Sequence, residues 1–212
     1  ESEIIAQSFE SGIHREQGFS YQLFVIEFFL LAALEAKRIG KPFSDAYHNR
    51  LRRMIEAIPL LTDVGGNLPR YGDGDEGMAV QLQPAAWERA GWLYEAGAAL
   101  LGAGVPVRSP STLPARILGL TAPARTVRAA GSQAFADAGI YALTRARGTP
   151  QEIFILADAG PLGYLTIAAH GHADALSFTL SVGGLPLLVD PGTYCYHTDL
   201  KSRGYFRGTS AH

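Results

Sequence analysis

The chain changes its hydrophobic periodicity at a stretch punctuated by Pro106, Pro110, Pro114 and Pro123. Before this stretch, apolar residues recur at helical spacing, and the pattern is that of helical hairpins joined by polar loops. After it, short apolar runs are separated by glycine turns, which is typical of strands. The sequence therefore predicts an α+β fold with two domains: a helical domain over 1–105, a junction over 106–125 and a β domain over 126–212.

Three helices are predicted in the first part, over 19–38, 44–58 and 84–101. The first is apolar around most of its circumference, which predicts burial on nearly all sides, and it ends at Gly40 and Pro42. Glu27 interrupts its apolar run, and we expect the helix to be too short for a membrane span. Ser44 or Asp45 caps the second helix, and Trp87 lies in the third.

Five strands are predicted in the second part, over 138–145, 151–158, 164–169, 175–182 and 185–190. They are short, closely spaced and joined by glycine turns, so we expect an antiparallel β-sandwich. Between the second and third helices, five glycines from Gly65 to Gly77 predict irregular backbone that displays Tyr71 and the nearby acids rather than packing them. Asp73, Asp75 and Glu76 could form a calcium loop there, although the spacing lacks a full EF-hand pattern.

Charge and cysteine content exclude several classes of function. The formal net charge of −2 over 212 residues gives no basic surface for a nucleic acid, so no such partner is expected. Cys195 is the single cysteine, which excludes an intramolecular disulfide and a zinc site built on cysteines. Because the sequence begins at Glu1 and stops at His212 without a terminating turn, we expect a segment of a longer protein. The oligomeric state stays open.

His170 and His172 are two residues apart, and in an extended segment both side chains would project to one side. Asp190 follows at the far end of the next hairpin, which would fold it back toward the histidines. Two imidazoles and a carboxylate suit zinc or another divalent cation. In the alternative interpretation, one histidine bonds a backbone carbonyl and the other is exposed.

Aromatic and basic side chains crowd the end of the chain. Planar rings and guanidinium groups suit an anionic sugar, although a solvated loop gives the same pattern. A second candidate group is formed by His14, Gln17 and Tyr21, which would share one helical face if the helix already includes His14. In the alternative interpretation, they belong to a polar segment that precedes the helix, with the tyrosine packed under it. The terminal run contains Tyr194, Tyr196, His197, Lys201, Arg203, Tyr205, Arg207 and His212.

Four blocks of sequence resemble the heparinase II/III family of polysaccharide lyases, which is related to the alginate and oligo-alginate lyases. They are Ser-Gly-Ile-His-Arg-Glu-Gln-x-x-x-Tyr at 11–21, Leu-Pro-Arg-Tyr-Gly-Asp at 68–73, His-Gly-His-Ala-Asp at 170–174 with Leu-Val-Asp-Pro-Gly-Thr-Tyr at 188–194, and Tyr-Phe-Arg-x-Thr-x-Ala-His at 205–212. The order of the blocks and the change from helices to strands match the family.

The resemblance implies an incomplete α/α toroid followed by an antiparallel β-sandwich, with the site in a cleft between them. It also implies a periplasmic or secreted enzyme that cleaves uronic-acid polysaccharides by β-elimination, without an organic cofactor. By motif, a structural zinc would be held by His172, Asp190 and His212. The catalytic residues would be Tyr21, His170 facing the cleft, and Tyr205 as a second phenol.

Elimination needs stabilisation of the C6 carboxylate, removal of the C5 proton and protonation of the leaving oxygen. We expect nearby cations such as Arg70 or Arg203 to tune the phenol of Tyr21. The predicted substrate-binding residues are His14, Gln17, Arg70, Tyr71, Arg203 and Arg207.

The sequence departs from the family at Gly18 and Gln22, where relatives often carry Ser and His. This departure keeps a non-catalytic polysaccharide-binding protein open as an alternative. A His-x-His metal oxygenase with an open iron site is a further alternative, which leaves the helical part unexplained. The sugar stays open among heparin- or heparan-like, alginate-like and bacterial exopolysaccharide uronates.

Overall fold

A computed structural model describes residues 1–75, 77–82, 89–108, 110–127 and 130–212. Within these residues the helices are α1 Ser2–Gln7, α2 Phe19–Arg38, α3 Asp45–Leu61, α4 Arg89–Leu101, α5 Leu113–Ile117 and α6 Leu200–Phe206, followed by a 3-10 helix at Thr209–Ala211. The strands are β1 Gln133–Phe135, β2 Ile140–Arg145, β3 Ile153–Asp158, β4 Phe178–Val182 and β5 Leu185–Leu188.

The chain divides into two compact units, each assembled from three separate segments. The first unit contains Glu1–Gly12, Leu23–Pro59 and Met78–Arg128. The second contains Ile13–Gln22, Leu60–Gly77 and Ala129–His212. The domain boundaries predicted along the sequence stay a prediction, because this division follows spatial contacts. Its consequence for function is that the segments around Tyr21, Asp73 and His170 all belong to the second unit.

The first unit is built on a core of apolar side chains from three helices. Ile26 and Leu30 of α2, Leu51 and Ile55 of α3, and Trp92 of α4 are buried in this core. Burying side chains of this size contributes about 1.5–3 kcal/mol each, so the cluster is the main source of stability for the helical unit.

The predicted helix over 19–38 is confirmed residue for residue by α2. By length and composition α2 is long and apolar enough to cross a membrane, so the expectation that it is too short was wrong. This is weak evidence for a span, because core helices pass the same test. Glu27 in the middle of α2 is fully buried and pairs with Arg89, with Nε to Oε1 at 3.0 Å, as expected for a buried charge.

The second predicted helix is also confirmed, with a longer C-terminal end. Ser44 is the cap, since its Oγ accepts a hydrogen bond from the amide of Tyr47 at 3.3 Å. The helix α3 continues through Pro59 to Leu61. Of the third predicted helix, the structure describes Arg89–Leu101, while 84–88 with Trp87 lie outside the described residues.

The β part is one antiparallel sheet in the order β1-β2-β3-β4-β5. Four of the five predicted strands are confirmed with shorter bounds, and β1 was not predicted. The predicted strand over 164–169 is wrong. Only an isolated bridge joins Tyr164 to Ala169, because Leu165 and Ala168 adopt left-handed backbone with φ of 56° and 48°. The toroid and the second sheet of the sandwich stay predictions.

Candidate functional site

The glycine-rich loop after α3 packs its key side chains instead of displaying them. Tyr71 and Asp73 are 7% and 3% exposed, which contradicts the expectation from the sequence. Glycine predicts irregular backbone correctly, but it does not predict whether neighbouring side chains face solvent. The tight fit explains one glycine of the loop. A Cβ at Gly72, where φ is +61°, would lie 2.6 Å from the carbonyl oxygen of Gln17 and 2.9 Å from that of His170.

Asp73 is the centre of the polar cluster, although the sequence pointed to it only as part of a calcium loop. Its Oδ1 accepts hydrogen bonds from Nε2 of His172 at 2.8 Å and from the hydroxyl of Thr193 at 3.2 Å. Arg203 binds both carboxylate oxygens, each at 2.6 Å. The backbone amide of Asp73 donates to the carbonyl of His170 at 2.9 Å, which fixes the loop against the histidine segment.

Burial alone would raise the pKa of the Asp73 carboxyl. Hydrogen bonds from His170, His172 and Arg203 outweigh that effect and hold the pKa well below its usual range. Asp73 is therefore an anion at neutral pH, and the paired guanidinium of Arg203 balances its charge. The only sequence signal for this role is the position of Asp73 inside the second family-like block.

The backbone at His170 is left-handed, with φ of 59°, so the extended segment predicted for His170 and His172 is wrong. The two side chains nevertheless share a partner. His170 Nδ1 lies 3.5 Å from Oδ2 of Asp73, while His172 bonds Oδ1. On its other side, His170 Nε2 lies 3.7 Å from Oε2 of Glu16. His170 thus sits between the carboxylates of Glu16 and Asp73.

Tyr21 and His170 are in ring contact, as two groups acting on one substrate should be. Their rings stack with centroids 3.9 Å apart and an interplanar angle of 28°. The hydroxyl of Tyr21 lies 2.8 Å from that of Tyr196, and the guanidinium of Arg203 lies 4.9 Å from the centroid of the Tyr196 ring. Tyr196 was one member of the terminal aromatic run and was not selected as a site residue.

The two phenols stay protonated at neutral pH. Burial raises the pKa of Tyr21, although the hydrogen bond to Tyr196 lowers it in part. Burial and the bond to Tyr21 raise the pKa of Tyr196. The tuning of Tyr21 by Arg70 or Arg203 stays a prediction, and both arginines have other partners in the structure. Arg70 donates to the carbonyl of Pro191 at 3.1 Å, and Arg203 is paired with Asp73.

His14, Gln17 and Tyr21 do not share a helical face. The helix begins only at Phe19, and Gln17 is left-handed with φ of 57°. Gln17 instead links two segments: its Oε1 accepts from the Tyr71 hydroxyl at 2.9 Å, and its Nε2 donates to the carbonyl of Ala138 at 3.0 Å.

His14 is 1% exposed. Burial, assisted by the nearby His170, lowers its pKa to about 4. His14 is therefore a neutral imidazole at physiological pH.

The departures at Gly18 and Gln22 have a local explanation. A Cβ at Gly18 would lie 2.8 Å from the carbonyl oxygen of Asp73, so a serine does not fit this backbone. Gln22 is buried, and its Oε1 accepts a hydrogen bond from the backbone amide of His14 at 2.6 Å. Both residues fix the segment that presents Tyr21.

The terminal aromatic and basic run, for which a solvated loop was one interpretation, is helical over Leu200–Phe206 and Thr209–Ala211. Asp199 caps α6 by accepting from the amides of Lys201 and Ser202 at 3.0 and 3.1 Å. Tyr205 is 56% exposed and packs edge-on against Phe206. Arg207 donates to the carbonyl of Gly171 at 3.3 Å. The substrate roles of Tyr205 and Arg207 stay predictions.

Three side chains predicted as metal ligands converge. One ligand atom each from His172, Asp190 and His212 lies within 4.8 Å of the others. His172 Nδ1 is buried and has no hydrogen-bond partner among the described residues, and it is the atom left free for a cation. Two nitrogens and one carboxylate oxygen match the preferences of zinc, so these residues fit the metal.

The calcium loop has no comparable support in the part of the loop that the structure describes. The carboxylate of Asp73 is bonded by His172 and Arg203, and Oδ1 of Asp75 accepts from the amide of Gly77 at 2.9 Å. Glu76 lies outside the described residues.

Comparison with known proteins agrees with the resemblance. Residues 127–212 match the family model described as Heparinase II/III-like, C-terminal. No curated protein sequence matches the chain. The similar solved structures include the following three. A heparan sulfate lyase mutant from Pedobacter heparinus has 21% identity and a TM-score of 0.70, with 97% of this chain and 30% of that chain covered.

The other two are both described as heparinase III. One has 19% identity and a TM-score of 0.73, with 100% and 31% of the two chains covered. The other has 19% identity and a TM-score of 0.71, with 100% and 33% covered. At these identities the likeness shows a common fold. The chain spans about a third of the length of each of these proteins.

Proposed function

We propose that this chain is part of a polysaccharide lyase that cleaves uronic-acid polysaccharides by β-elimination, because residues 127–212 match the family model described as Heparinase II/III-like, C-terminal. A heparin- or heparan-like polysaccharide is the first candidate substrate, because the similar solved structures are described as heparan sulfate lyase and heparinase III. Alginate-like and bacterial exopolysaccharide uronates are the next candidates. Such substrates lie outside the cytoplasm, which agrees with a periplasmic or secreted protein.

One observation carries the proposal: a phenol and an imidazole from distant parts of the sequence are in contact, between charged groups. Tyr21 stacks on His170, and His170 lies between the carboxylates of Glu16 and Asp73. A buried core tyrosine and a surface histidine need no such arrangement. General acid–base catalysis does need two proton-transfer groups within reach of the same bond.

In the proposed reaction, His170 accepts the proton from C5 of the uronate. The C5–H electron pair forms the C4–C5 double bond, and the C4–O bond breaks. Tyr21, which is protonated at neutral pH, donates its proton to the leaving oxygen. The carboxylates of Glu16 and Asp73 stabilise the imidazolium of His170 that results.

We further propose that the substrate carboxylate and its neighbours are bound by His14, Gln17, Arg70, Tyr71, Arg203 and Arg207, with Tyr205 as a supporting phenol. A zinc ion held by His172, Asp190 and His212 would have a structural role: its charge would tie the histidine segment, the loop after β5 and the terminal 3-10 helix together.

A non-catalytic polysaccharide-binding protein is the second candidate. It is favoured by Gln22, which stands where relatives often carry a histidine and which has no proton to exchange at physiological pH. Its amide oxygen is already bonded to the amide of His14. This candidate keeps the fold and the binding residues and lacks turnover.

The test uses the full-length protein with heparan sulfate, heparin, alginate and acidic bacterial exopolysaccharides. We expect an increase in ultraviolet absorbance from the unsaturated uronate with at least one of them. Binding of a polysaccharide by calorimetry without new absorbance would select the binding protein. Neither absorbance nor binding with any uronate would reject the proposed function.

A further inference from the structure

We propose that Asp73 is a positioning residue that orients His172 toward the metal through Nδ1, and that the same carboxylate links the metal ligands to His170 and Arg203. The inference rests on the zinc site of the proposed function. It adds a residue that belongs neither to the predicted ligands nor to the proton-transfer pair.

The hydrogen bonds of His172 identify which ring nitrogen is free. Nε2 lies 2.8 Å from Oδ1 of Asp73, in a position where both groups are buried. Both oxygens of Asp73 accept hydrogen bonds from Arg203, so the carboxylate acts as an acceptor toward His172 as well; Nε2 then carries the hydrogen and Nδ1 the lone pair. Nδ1 is buried and has no partner among the described residues, and an unpaired buried acceptor destabilises a folded protein. A cation at Nδ1 would remove that destabilisation.

His212 repeats the arrangement on the other side of the site. Its Nδ1 lies 2.8 Å from Oδ2 of Asp190, and its Nε2 lies 3.1 Å from the carbonyl oxygen of Phe206. Each imidazole thus turns one nitrogen toward the ligand group and the other toward a protein acceptor. Metal-binding histidines are typically held this way, because the outer acceptor fixes the tautomer and the ring orientation.

The carboxylate of Asp73 is shared between the metal ligands and the proposed substrate side. Oδ1 serves His172 and Arg203, and Oδ2 serves Arg203 and lies 3.5 Å from His170. The hydroxyl of Thr193, three residues after Asp190, also bonds Oδ1. A displacement of this one carboxylate therefore moves His172 and His170 together, and it leaves the part-buried guanidinium of Arg203 without its partner.

The experiment compares zinc affinity in the full-length wild-type protein, Asp73→Ala and Asp75→Ala, by competition with a chromogenic chelator and without polysaccharide. We expect Asp73→Ala to lose about 10–100-fold in zinc affinity, the usual effect of removing the outer partner of a ligand histidine. Asp75→Ala is the matched control. It removes the same charge two residues away, where the side chain is exposed and bonds the amide of Gly77.

A second measurement covers the case in which Asp73→Ala fails to fold. In wild-type protein with ¹⁵N-labelled histidine and no zinc, we expect His172 to carry its hydrogen on Nε2, assigned by loss of the signal in His172→Gln. Hydrogen on Nδ1 would overturn the inference. If Asp73→Ala binds zinc with the affinity of the wild type, the positioning role of Asp73 is overturned and the zinc site is not. Failure of the wild-type protein to bind zinc would overturn the zinc site as well, while leaving the lyase reaction to its own absorbance test.

Discussion

The ring of Tyr21 stacks on the ring of His170, although the two residues are 149 positions apart in the sequence. Tyr21 comes from the first turn of α2 and His170 from a left-handed turn before β4. The contact places a protonated phenol beside an imidazole that two carboxylates flank. These are the groups that the proposed elimination needs for its acid and its base.

Replacing Tyr21 by Phe removes the proposed acid and keeps the stacked ring. We expect product formation, followed by ultraviolet absorbance, to fall by about 10²–10⁴-fold, as for the loss of a general acid. Circular dichroism and thermal unfolding should stay close to those of the wild type. Tyr141→Phe on β2 is the control and should keep full activity. Full activity in Tyr21→Phe would remove this residue from the mechanism.

Replacing Tyr196 by Phe tests the bond between the two phenols. The hydrogen bond to Tyr196 lowers the pKa of Tyr21, so its loss should raise that pKa further. A general acid is active in its protonated form, and the alkaline limb of the kcat–pH profile should therefore move to higher pH. The check is the profile of the variant beside that of the wild type. An unmoved limb would mean that Tyr21 does not set it.

Much of the fold could be predicted from the sequence because hydrophobic period and helix termini are local signals. The bounds of α2 and the cap at Ser44 follow from such signals. The prediction of a strand over 164–169 was wrong because Leu165 and Ala168 adopt left-handed backbone, which neither residue type indicates in a sequence. The helix α6 was missed because its run of mixed polar and aromatic residues has no clear apolar face.

Site residues could be predicted only where the residue type by itself, or a family-like motif, indicates a chemical role. Histidine spacing pointed to His170, His172 and Asp190 as metal ligands, and the family-like motif put His212 in place of His170; the structure brings His172, Asp190 and His212 together. Asp73 was considered only as part of a calcium loop and Tyr196 only as a member of the terminal run, because an aspartate in a glycine-rich loop and a tyrosine in an aromatic run look like surface residues. Their roles depend on tertiary contacts: Asp73 bonds His172, which lies 99 positions away in the sequence, and Tyr196 bonds Tyr21, which lies 175 positions away.

Glu27 in α2 tests the buried ion pair of the helical unit. Glu27→Ala leaves the guanidinium of Arg89 buried without its partner, and we expect the free energy of unfolding to fall by about 3–5 kcal/mol. Urea unfolding measures the loss. Glu35→Ala, which breaks an exposed pair with Arg38 on the same helix, should leave the midpoint unchanged. Equal effects in the two variants would contradict the burial of Glu27.

Gly72 tests the close approach of the three backbone segments at the site. In Gly72→Ala, the new Cβ meets two carbonyl oxygens at under 3 Å, in addition to the strain of positive φ. We expect a loss of about 2–5 kcal/mol in the free energy of unfolding, combining both costs. Gly66→Ala is the matched control: its φ is +81°, but nothing lies within 4 Å of the added Cβ. It should lose only about 1–2 kcal/mol. Equal losses in chemical denaturation would argue against the close approach.

His14 gives a pH dependence of stability with a definite sign. Its pKa is about 4 in the folded protein, below the ordinary value of 6.5 that applies to the unfolded chain. Between these values the unfolded state binds a proton that the folded state does not, so the free energy of unfolding falls as pH decreases. The full contribution is present above the ordinary pKa, and on the order of 3 kcal/mol is lost by the time the pH reaches the folded value.

The variant His14→Leu isolates this effect, because it removes the titrating ring while keeping an apolar side chain at a site that is 1% exposed. Burial raises the pKa values of Asp158 and Asp174, so these carboxyls act in the opposite direction, but they do so equally in both proteins. Urea unfolding at about pH 7 and about pH 4.5 should show the wild type losing roughly 2–3 kcal/mol more than the variant. Parallel losses would mean that His14 titrates in the folded protein as it does in the unfolded chain.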